Sequence, residues 1–153
     1  MPVFVVIPTY NERENISTLI EAIFALGIPA LKLIVVDDAS PDGTADVGRA
    51  YAARYPIHVI ERSSKQGLGT AYAHAFREIC GQGIRDWGRP DSVIQMDADL
   101  SHDPLAIPRL LDAAREHDVV IGSRYIAGGR IENWEWSRRL LSRFANMYAR
   151  AVL

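Results

Sequence analysis

The sequence is poor in cysteine and contains no long apolar run, and each shortage excludes a class of protein. Cys80 is the single cysteine among 153 residues, so no disulfide can form within the chain, and a reducing compartment fits. No apolar run approaches the roughly 20 residues that a membrane-spanning helix needs. The first residues, MPVFVVIPTYNE, lack the basic flank and cleavage site of a signal peptide. We therefore expect a cytoplasmic protein that is soluble or peripheral to a membrane.

The sequence also has little excess of either sign of charge, since the formal net charge is only −2. This value argues against nucleic acid as a partner. The charge is unevenly distributed: residues 1–123 carry 11 Lys and Arg against 17 Asp and Glu, whereas residues 124–153 carry six Arg against two Glu. A basic end on an acidic body is typical of an anionic partner at that end. A solvated helix face explains the same pattern, and the sequence leaves both interpretations open.

Apolar periodicity predicts an α/β fold. Five short apolar runs predict buried strands at Val3–Ile7, Leu31–Val36, Ile57–Ile60, Ser92–Met96 and Asp118–Ile121. Helical spacing predicts four intervening helices at Asn15–Leu26, Thr44–Arg54, Thr70–Cys80 and Pro104–Glu116, with Thr44 and Asp103 as caps. Strands that alternate with helices indicate a mostly parallel sheet covered by helices on both faces.

The chain length fits a single domain spanning residues 1–153. The chain ends within a helical pattern at Val152–Leu153, without a cap, and we interpret it as truncated there.

Polar segments follow four of the five predicted strands. They are PTYNE, DDAS, DADLS and GSRY, after the first, second, fourth and fifth strands. Ligands of such sheets bind beyond the carboxyl ends of the strands. The convergence of four polar segments on one edge therefore predicts the functional site there.

Asp97 and Asp99 are the strongest candidates for chemistry. Two residues apart in extended backbone, they would point the same way and raise each other's pKa unless a cation lay between them. Oxygen ligands with open positions suit Mg²⁺ or Mn²⁺ holding phosphates, whereas a proton-sharing carboxylate pair is the alternative. Asp103 is interpreted as a helix cap and His102 as a loop histidine rather than a base.

Other phosphate-binding patterns fit poorly. The sequence lacks the P-loop pattern. The segment GLGTAY lacks the third glycine of a dinucleotide site and follows no clean strand. A nucleotidyltransferase would usually open with a glycine-rich basic loop, and VIPTYNE is not one.

The ordered set PTYNE, DDASPDGT, GLGTAY, MDADLSH, GSRY and WSRRLLS resembles the dolichol-phosphate mannose synthases over nearly the whole chain. These are inverting family 2 glycosyltransferases with the GT-A, Rossmann-like fold. The resemblance implies transfer of mannose from GDP-mannose to a polyprenyl or dolichyl phosphate, at the cytosolic face of a membrane. It also implies a membrane-anchoring segment or subunit outside this chain. A UDP-glucose-dependent glucosyltransferase and a non-catalytic nucleotide-binding module remain alternatives.

The resemblance assigns the nucleotide to the first two polar segments. Pro8, Tyr10 and Glu12 would frame the nucleotide. Asp38, with the backbone at Val36, would contact the base and leave the neighbouring Asp37 for structure. The alternative is that both acids cap the turn SPDGT.

The resemblance assigns the metal to the third polar segment. Asp97 and the catalytic Asp99 would hold Mg²⁺ or Mn²⁺ against the donor diphosphate, with Ala98 lining the nucleotide. Ser101 stands where some relatives carry Gln, and it is the third candidate ligand.

The basic segment 124–153 would serve the acceptor side. Arg124, Arg138 and Ser142 would bind phosphate groups during transfer, and Arg124 would also contact the donor. Helical spacing predicts an apolar stripe formed by Trp136, Leu140, Phe144, Met147 and Tyr148, with Leu141 on its flank. A basic helix of this kind can lie in a membrane interface, or its stripe can pack on the core of the domain.

Overall fold

The computed structural model describes residues 2–81, 84, 87–123, 136, 141–142, 144–145 and 147–148. Its contacts divide the chain into two compact units, Met1–Val120 and Ile121–Leu153. The first unit contains the sheet. In the second, the described residues from 136 onward are helical.

Four parallel strands form one sheet, and they confirm the first four predicted strands. The strands are β1 (Val3–Thr9), β2 (Leu31–Asp37), β3 (Ile57–Glu61) and β4 (Ser92–Gln95). Their order across the sheet is β3-β2-β1-β4, with all neighbouring pairs parallel. The two longest strands therefore lie in the centre, where their almost unbroken runs of Val, Ile and Leu are buried on both faces.

The predicted fifth strand is wrong. Residues 118–121 are described and adopt no strand, and the side chains of Val119 and Ile121 are 78% and 82% exposed. A run of four residues, three of them with β-branched side chains, satisfies the pattern of a strand. A strand also needs a hydrogen-bonding neighbour, which so short a run does not specify.

Helices cover both faces of the sheet, as predicted. They are α1 (Arg13–Ala25), α2 (Thr44–Tyr51), α3 (Leu68–Cys80) and α4 (Ile107–Ala113), with a short 3-10 helix at Pro104–Ala106. The apolar residues of α1 and Ile107 of α4 belong to the core on one face of the sheet, and α2 packs there through Val47. Ala71, Ala75 and Ile79 of α3 belong to the core on the other face.

Strand β1 shows how one sequence supplies both cores. Val3, Val5 and Ile7 point to the face covered by α1, and Phe4 and Val6 point to the face covered by α3.

The strand continues through Pro8 to Thr9, beyond the predicted end at Ile7. Proline is tolerated because β4 has already ended on the side of β1 to which Pro8 points. On that side, two residues earlier, the Val6 carbonyl accepts a hydrogen bond from the N–H of Met96, the first residue after β4. The missing N–H of Pro8 thus faces no strand.

Of the two predicted caps, one is confirmed and one is wrong. Asp103 accepts a hydrogen bond from the backbone N–H of Leu105 at 2.9 Å, with Pro104 in the first helical position. Thr44 caps nothing, because α2 begins at Thr44 itself after Gly43, whose φ is 85°. The Thr44 hydroxyl instead donates to the Asp42 carboxylate at 2.6 Å.

Candidate active site

Of the four loops that leave the carboxyl edge of the sheet, three hold a non-glycine residue with positive φ. Asn11 follows β1, Ala39 follows β2 and Leu100 follows β4, with φ values of 57°, 56° and 59°. Positive φ is unfavourable for residues that carry a Cβ, and such conformations cluster at functional sites. Ala30, before β2 at the opposite edge, has a φ of 56°, so three of the four such residues described lie at the edge that the sequence predicts as the site.

The loops after β1 and β2 are joined by hydrogen bonds from backbone to side chain. The N–H of Asn11 donates to Ser40 Oγ at 3.0 Å, and the N–H of Glu12 donates to Thr44 Oγ1 at 3.0 Å. These bonds fix PTYNE against DDASPDGT, so the two predicted nucleotide-binding segments are held together before any ligand binds.

Asp37 holds the end of β2 in place. Its Oδ1 accepts from the Thr9 hydroxyl at 2.7 Å and from the Ser40 hydroxyl at 2.6 Å, and its Oδ2 accepts from Ser40 N at 2.8 Å. The side chain is fully buried. This arrangement confirms that Asp37 serves structure.

Asp38 faces α3 rather than open solvent. Its Oδ1 lies 2.7 Å from Arg62 Nη1 in an ion pair whose side chains are 6% and 5% exposed. Its Oδ2 accepts from the N–H groups of Gln66 and Gly67, each at 2.9 Å. Asp38 thereby fixes the loop that leads into α3, and its predicted contact with a base stays a prediction.

Tyr10 and Glu12 flank the edge of the sheet in different ways. The Tyr10 ring is partly exposed, and Lys65 Nζ lies 3.6 Å from its centroid, a cation–π contact. The Glu12 carboxylate accepts from Asn15 Nδ2 at 2.8 Å, close to the start of α1. Pro8 and Val36, the other two predicted nucleotide residues, are buried neighbours on β1 and β2.

Asp97 is held from two sides in the loop after β4. Its Oδ1 accepts from the Tyr72 hydroxyl at 3.2 Å, and its backbone N–H donates to His102 Nδ1 at 3.1 Å. Burial, followed by the Asp97 carboxylate, raises the pKa of Tyr72 well above its ordinary value, so Tyr72 remains a donor at neutral pH. His102 is a loop histidine, as predicted, with Nε2 lying 4.0 Å from Asp97 Oδ2.

Asp99 lies in the same loop with a more exposed side chain. Burial alone would raise the pKa of Asp99, but the Ser101 hydroxyl and N–H outweigh burial, and with His102 they lower the pKa below its ordinary value. The Ser101 N–H donates to Asp99 Oδ1 at 2.9 Å. Ala98, between the two acids, is buried.

The extended-backbone argument for the two acids is wrong. Strand β4 ends at Gln95, and the chain bends from residue 98 to residue 100, so Asp97 and Asp99 belong to a loop and not to a strand. Within the described residues, no group of three or more His, Cys, Asp and Glu side chains forms a metal site. The metal role of Asp97 and Asp99 therefore stays a prediction.

Most of the residues predicted to bind the acceptor lie outside the described part of the chain. Arg124 and Arg138 lie outside the described residues, whereas Ser142 is helical and partly buried.

Sequence reasoning missed three residues at the edge of the sheet: Arg62, Lys65 and Tyr72. Arg62 had one usable signal, a cation that directly follows Glu61, the last residue of β3. The contact of Tyr72 with a residue 25 positions away has no signature in the sequence.

Comparison with known protein families identifies the family of this chain. Residues 4–152 match the sequence model described as glycosyl transferase family 2. The chain belongs to this family. The dolichol-phosphate mannose synthases, which the ordered set of motifs resembles, are members of the same family.

Three curated relatives of the family 2 chain carry closely related names. An undecaprenyl-phosphate mannosyltransferase of Micrococcus luteus is 43% identical over 100% of the chain and 60% of its own length. A dolichol-phosphate mannosyltransferase of Pyrococcus furiosus is 42% identical over 100% of the chain and 42% of its own. A polyprenol monophosphomannose synthase of Mycolicibacterium smegmatis is 45% identical over 97% of the chain and 55% of its own. The chain thus spans about half the length of these relatives.

Solved structures share the fold. TarS from S. aureus superimposes with a TM-score of 0.62 over 77% of the chain and 33% of its own, at 21% identity. Glucosyl-3-phosphoglycerate synthase from Mycobacterium tuberculosis gives 0.58 over 76% of the chain and 40% of its own, at 24% identity. The likeness confirms the predicted GT-A-like α/β fold.

Among the residues that the structure describes, no helix is both long and apolar enough to span a membrane.

Proposed function

We propose that this family 2 chain is the donor-binding part of an enzyme that transfers mannose from GDP-mannose to a polyprenyl phosphate with inversion. The observation that carries the proposal is identity of 42–45%, over at least 97% of the chain, to three proteins named for mannose and a polyprenol phosphate. The edge of the sheet agrees, because it gathers carboxylates and cations around strained loops. This combination suits a nucleotide diphosphate and a metal ion.

A divalent metal, Mg²⁺ or Mn²⁺, fits the loop after β4. Asp97 and Asp99 would hold it, and both present oxygen, the ligand that hard cations prefer. The low pKa of Asp99 keeps that carboxylate charged. When bound, the metal would neutralise charge on the departing diphosphate. Ser101 already donates to Asp99, so we assign it to the support of that carboxylate before any role as a ligand.

The nucleotide would lie across the loops after β1, β2 and β3. Tyr10 offers a ring face, and Lys65 beside it offers a cation that can reach a phosphate or a base. Asp38 fixes the backbone at Gln66 and Gly67, so its contribution to donor binding would include the shape of this loop. Glu12, Pro8 and Val36 would complete the frame.

The acceptor chemistry needs cations more than a base. A phosphate monoester is largely ionised near pH 7, so its oxygen can attack the sugar without losing a proton. Arg124, Arg138 and Ser142 would bind the phosphate groups, since guanidinium donors match phosphate in a planar, bidentate way. The positive charge of residues 124–153 agrees with that role.

The C-terminal helical segment would meet the membrane that contains the acceptor. Five large apolar side chains there are between 58% and 76% exposed: Trp136, Leu141, Phe144, Met147 and Tyr148. Leu140 of the predicted stripe lies outside the described residues. An interfacial helix would bring the lipid phosphate to the arginines without extracting the lipid tail from the bilayer. The enzyme would then act as a peripheral protein at the cytosolic face.

Turnover with paired donors tests the proposed function. The chain is incubated with a short polyprenyl phosphate, Mn²⁺ and either GDP-mannose or UDP-glucose, and the lipid-linked sugar is measured. We expect mannosyl lipid from GDP-mannose and little glucosyl lipid from UDP-glucose. Preference for UDP-glucose would replace the donor assignment. Nucleotide binding with no transfer, also in a longer chain that includes the rest of the relatives' length, would indicate a binding module.

A further inference from the structure

The GLGTAY segment reaches the carboxylates of the site through one side chain. Asp38 fixes the N–H of Gly67, α3 begins at Leu68, and Tyr72 follows one turn into the helix. From there the Tyr72 hydroxyl lies 3.2 Å from Asp97 Oδ1. The ring is half-buried and stacks on Phe76, with centroids 6.4 Å apart and an interplanar angle of 24°. The helix and the stacking both restrict where this hydroxyl can point.

The contacts of Asp97 divide between its backbone and its side chain. His102 accepts the backbone N–H at 3.1 Å, which fixes where the Cα of Asp97 lies. Tyr72 donates to one oxygen of the carboxylate, which fixes how the side chain is rotated. The second oxygen, Oδ2, lies 4.0 Å from His102 Nε2. A carboxylate that ligates a metal usually has such a hydrogen bond on its other oxygen.

We propose that Tyr72 is a positioning residue that orients Asp97, which would hold the divalent metal, through the hydrogen bond from its hydroxyl to Oδ1 of that carboxylate. The inference rests on the proposed function, because it presupposes that Asp97 ligates a metal. Tyr72 would act through Asp97 and not as a ligand of its own. Through α3 it connects the metal-binding loop to the loop that Asp38 and Arg62 hold in place.

Tyr72→Phe removes the hydroxyl and keeps the ring, so its stacking on Phe76 is preserved. Tyr51→Phe is the matched control, since the Tyr51 hydroxyl donates to Glu21 at 2.7 Å on an exposed surface. Binding of Mn²⁺ to the full 153-residue chain in the presence of GDP is followed by electron paramagnetic resonance of the free ion. We expect Tyr72→Phe to weaken Mn²⁺ binding by about 10-fold to 100-fold. Tyr51→Phe should bind Mn²⁺ as the parent does.

Kinetics separate positioning from a structural role. In Tyr72→Phe, the Mn²⁺ concentration that gives half-maximal transfer should rise with the dissociation constant, while kcat at saturating Mn²⁺ falls much less. Parental Mn²⁺ affinity in Tyr72→Phe would overturn the inference, whether or not the melting temperature falls.

Asp97→Asn and Asp99→Asn keep this result distinct from failure of the metal site. If both lose Mn²⁺ and Tyr72→Phe does not, only the role of Tyr72 is overturned. If both bind Mn²⁺ as the parent does, the metal site itself is wrong, and the inference is overturned with it.

Discussion

Arg62 and Asp38 form an ion pair in the interior of the first unit, with 2.7 Å between Nη1 and Oδ1. The side chains are only 5% and 6% exposed, so neither charge has much access to water. Asp38 follows β2 and Arg62 follows β3, and the backbone N–H of Arg62 also donates to Asp37 O at 2.8 Å. The pair therefore ties together the carboxyl ends of two neighbouring strands.

Asp38→Ala should destabilise the fold strongly. It leaves the Arg62 charge buried without a partner, a change that costs about 3–5 kcal/mol in the free energy of unfolding. Chemical denaturation measures that free energy. Asp46→Ala is the control, because the Asp46–Arg49 pair at 2.6 Å is exposed and its loss should change stability little. Equal stability of Asp38→Ala and the parent would show that the buried pair does not hold the fold.

That pair illustrates what the sequence could not predict about the site. The order of strands followed by polar segments indicated which edge would carry the site, and the structure gathers Asp37, Asp38, Asp97 and Asp99 there. The partners of these acids were not predictable. Arg62 lies 24 positions from Asp38 and belongs to a different loop, and periodicity carries no information on contacts between loops.

Acid should weaken the junction between α1 and the loop after β2. Burial would raise the pKa of Asp42, but hydrogen bonds from the Thr44 hydroxyl and N–H and from Arg13 N outweigh burial and lower the pKa below its ordinary value. Because the folded-state pKa is depressed, this stabilisation is fully present above the ordinary value of 3.8 and is lost as the pH falls through the lowered one.

Asp42→Asn tests this dependence on pH. The variant should be less stable than the parent at pH 7, and the difference should shrink as the pH falls below about 4. Thermal unfolding measured from pH 7 down to pH 2 provides the comparison. Parallel stability curves over that range would contradict a role for the Asp42 charge.

The fold was more predictable than the site because burial leaves a local pattern. The β-branched runs of β1 and β2 identified the two central strands to within two residues at each end. The same pattern failed at Asp118–Ile121, where Val119 and Ile121 are exposed. Thr44 does not cap α2 because its hydroxyl has other partners. It donates to the neighbouring carboxylate of Asp42 and accepts from the N–H of Glu12 in another loop.

Arg138→Lys should reduce transfer although it keeps the charge. Lysine cannot reproduce the planar, bidentate donors of a guanidinium on phosphate, so we expect kcat/KM to fall about tenfold or more. Arg139→Lys is the control, because the helix predicted from the sequence would direct adjacent side chains about 100° apart. A fully active Arg138→Lys variant, measured with GDP-mannose and polyprenyl phosphate, would contradict the proposed binding of phosphate by Arg138.

Membrane binding should depend on the exposed apolar residues of the C-terminal segment. The double variant Trp136→Gln/Phe144→Gln should co-sediment with anionic liposomes much less than the parent does, as should a chain that ends at Ile131. Leu105→Gln is the control, since Leu105 is 71% exposed but lies in the first unit. Equal binding by all four chains would exclude the segment from the membrane contact.

The dependence of mannose transfer on a chelatable metal tests the central claim most directly. Transfer from GDP-mannose to polyprenyl phosphate is measured across a titration with EDTA, followed by restoration with Mg²⁺ or Mn²⁺, in the parent and in Asp99→Ala. We expect transfer by the parent to fall to background in excess chelator and to recover with added metal. Asp99→Ala should stay inactive at every metal concentration while it unfolds with the cooperativity of the parent. Undiminished transfer in excess chelator would contradict a metal site at Asp97 and Asp99.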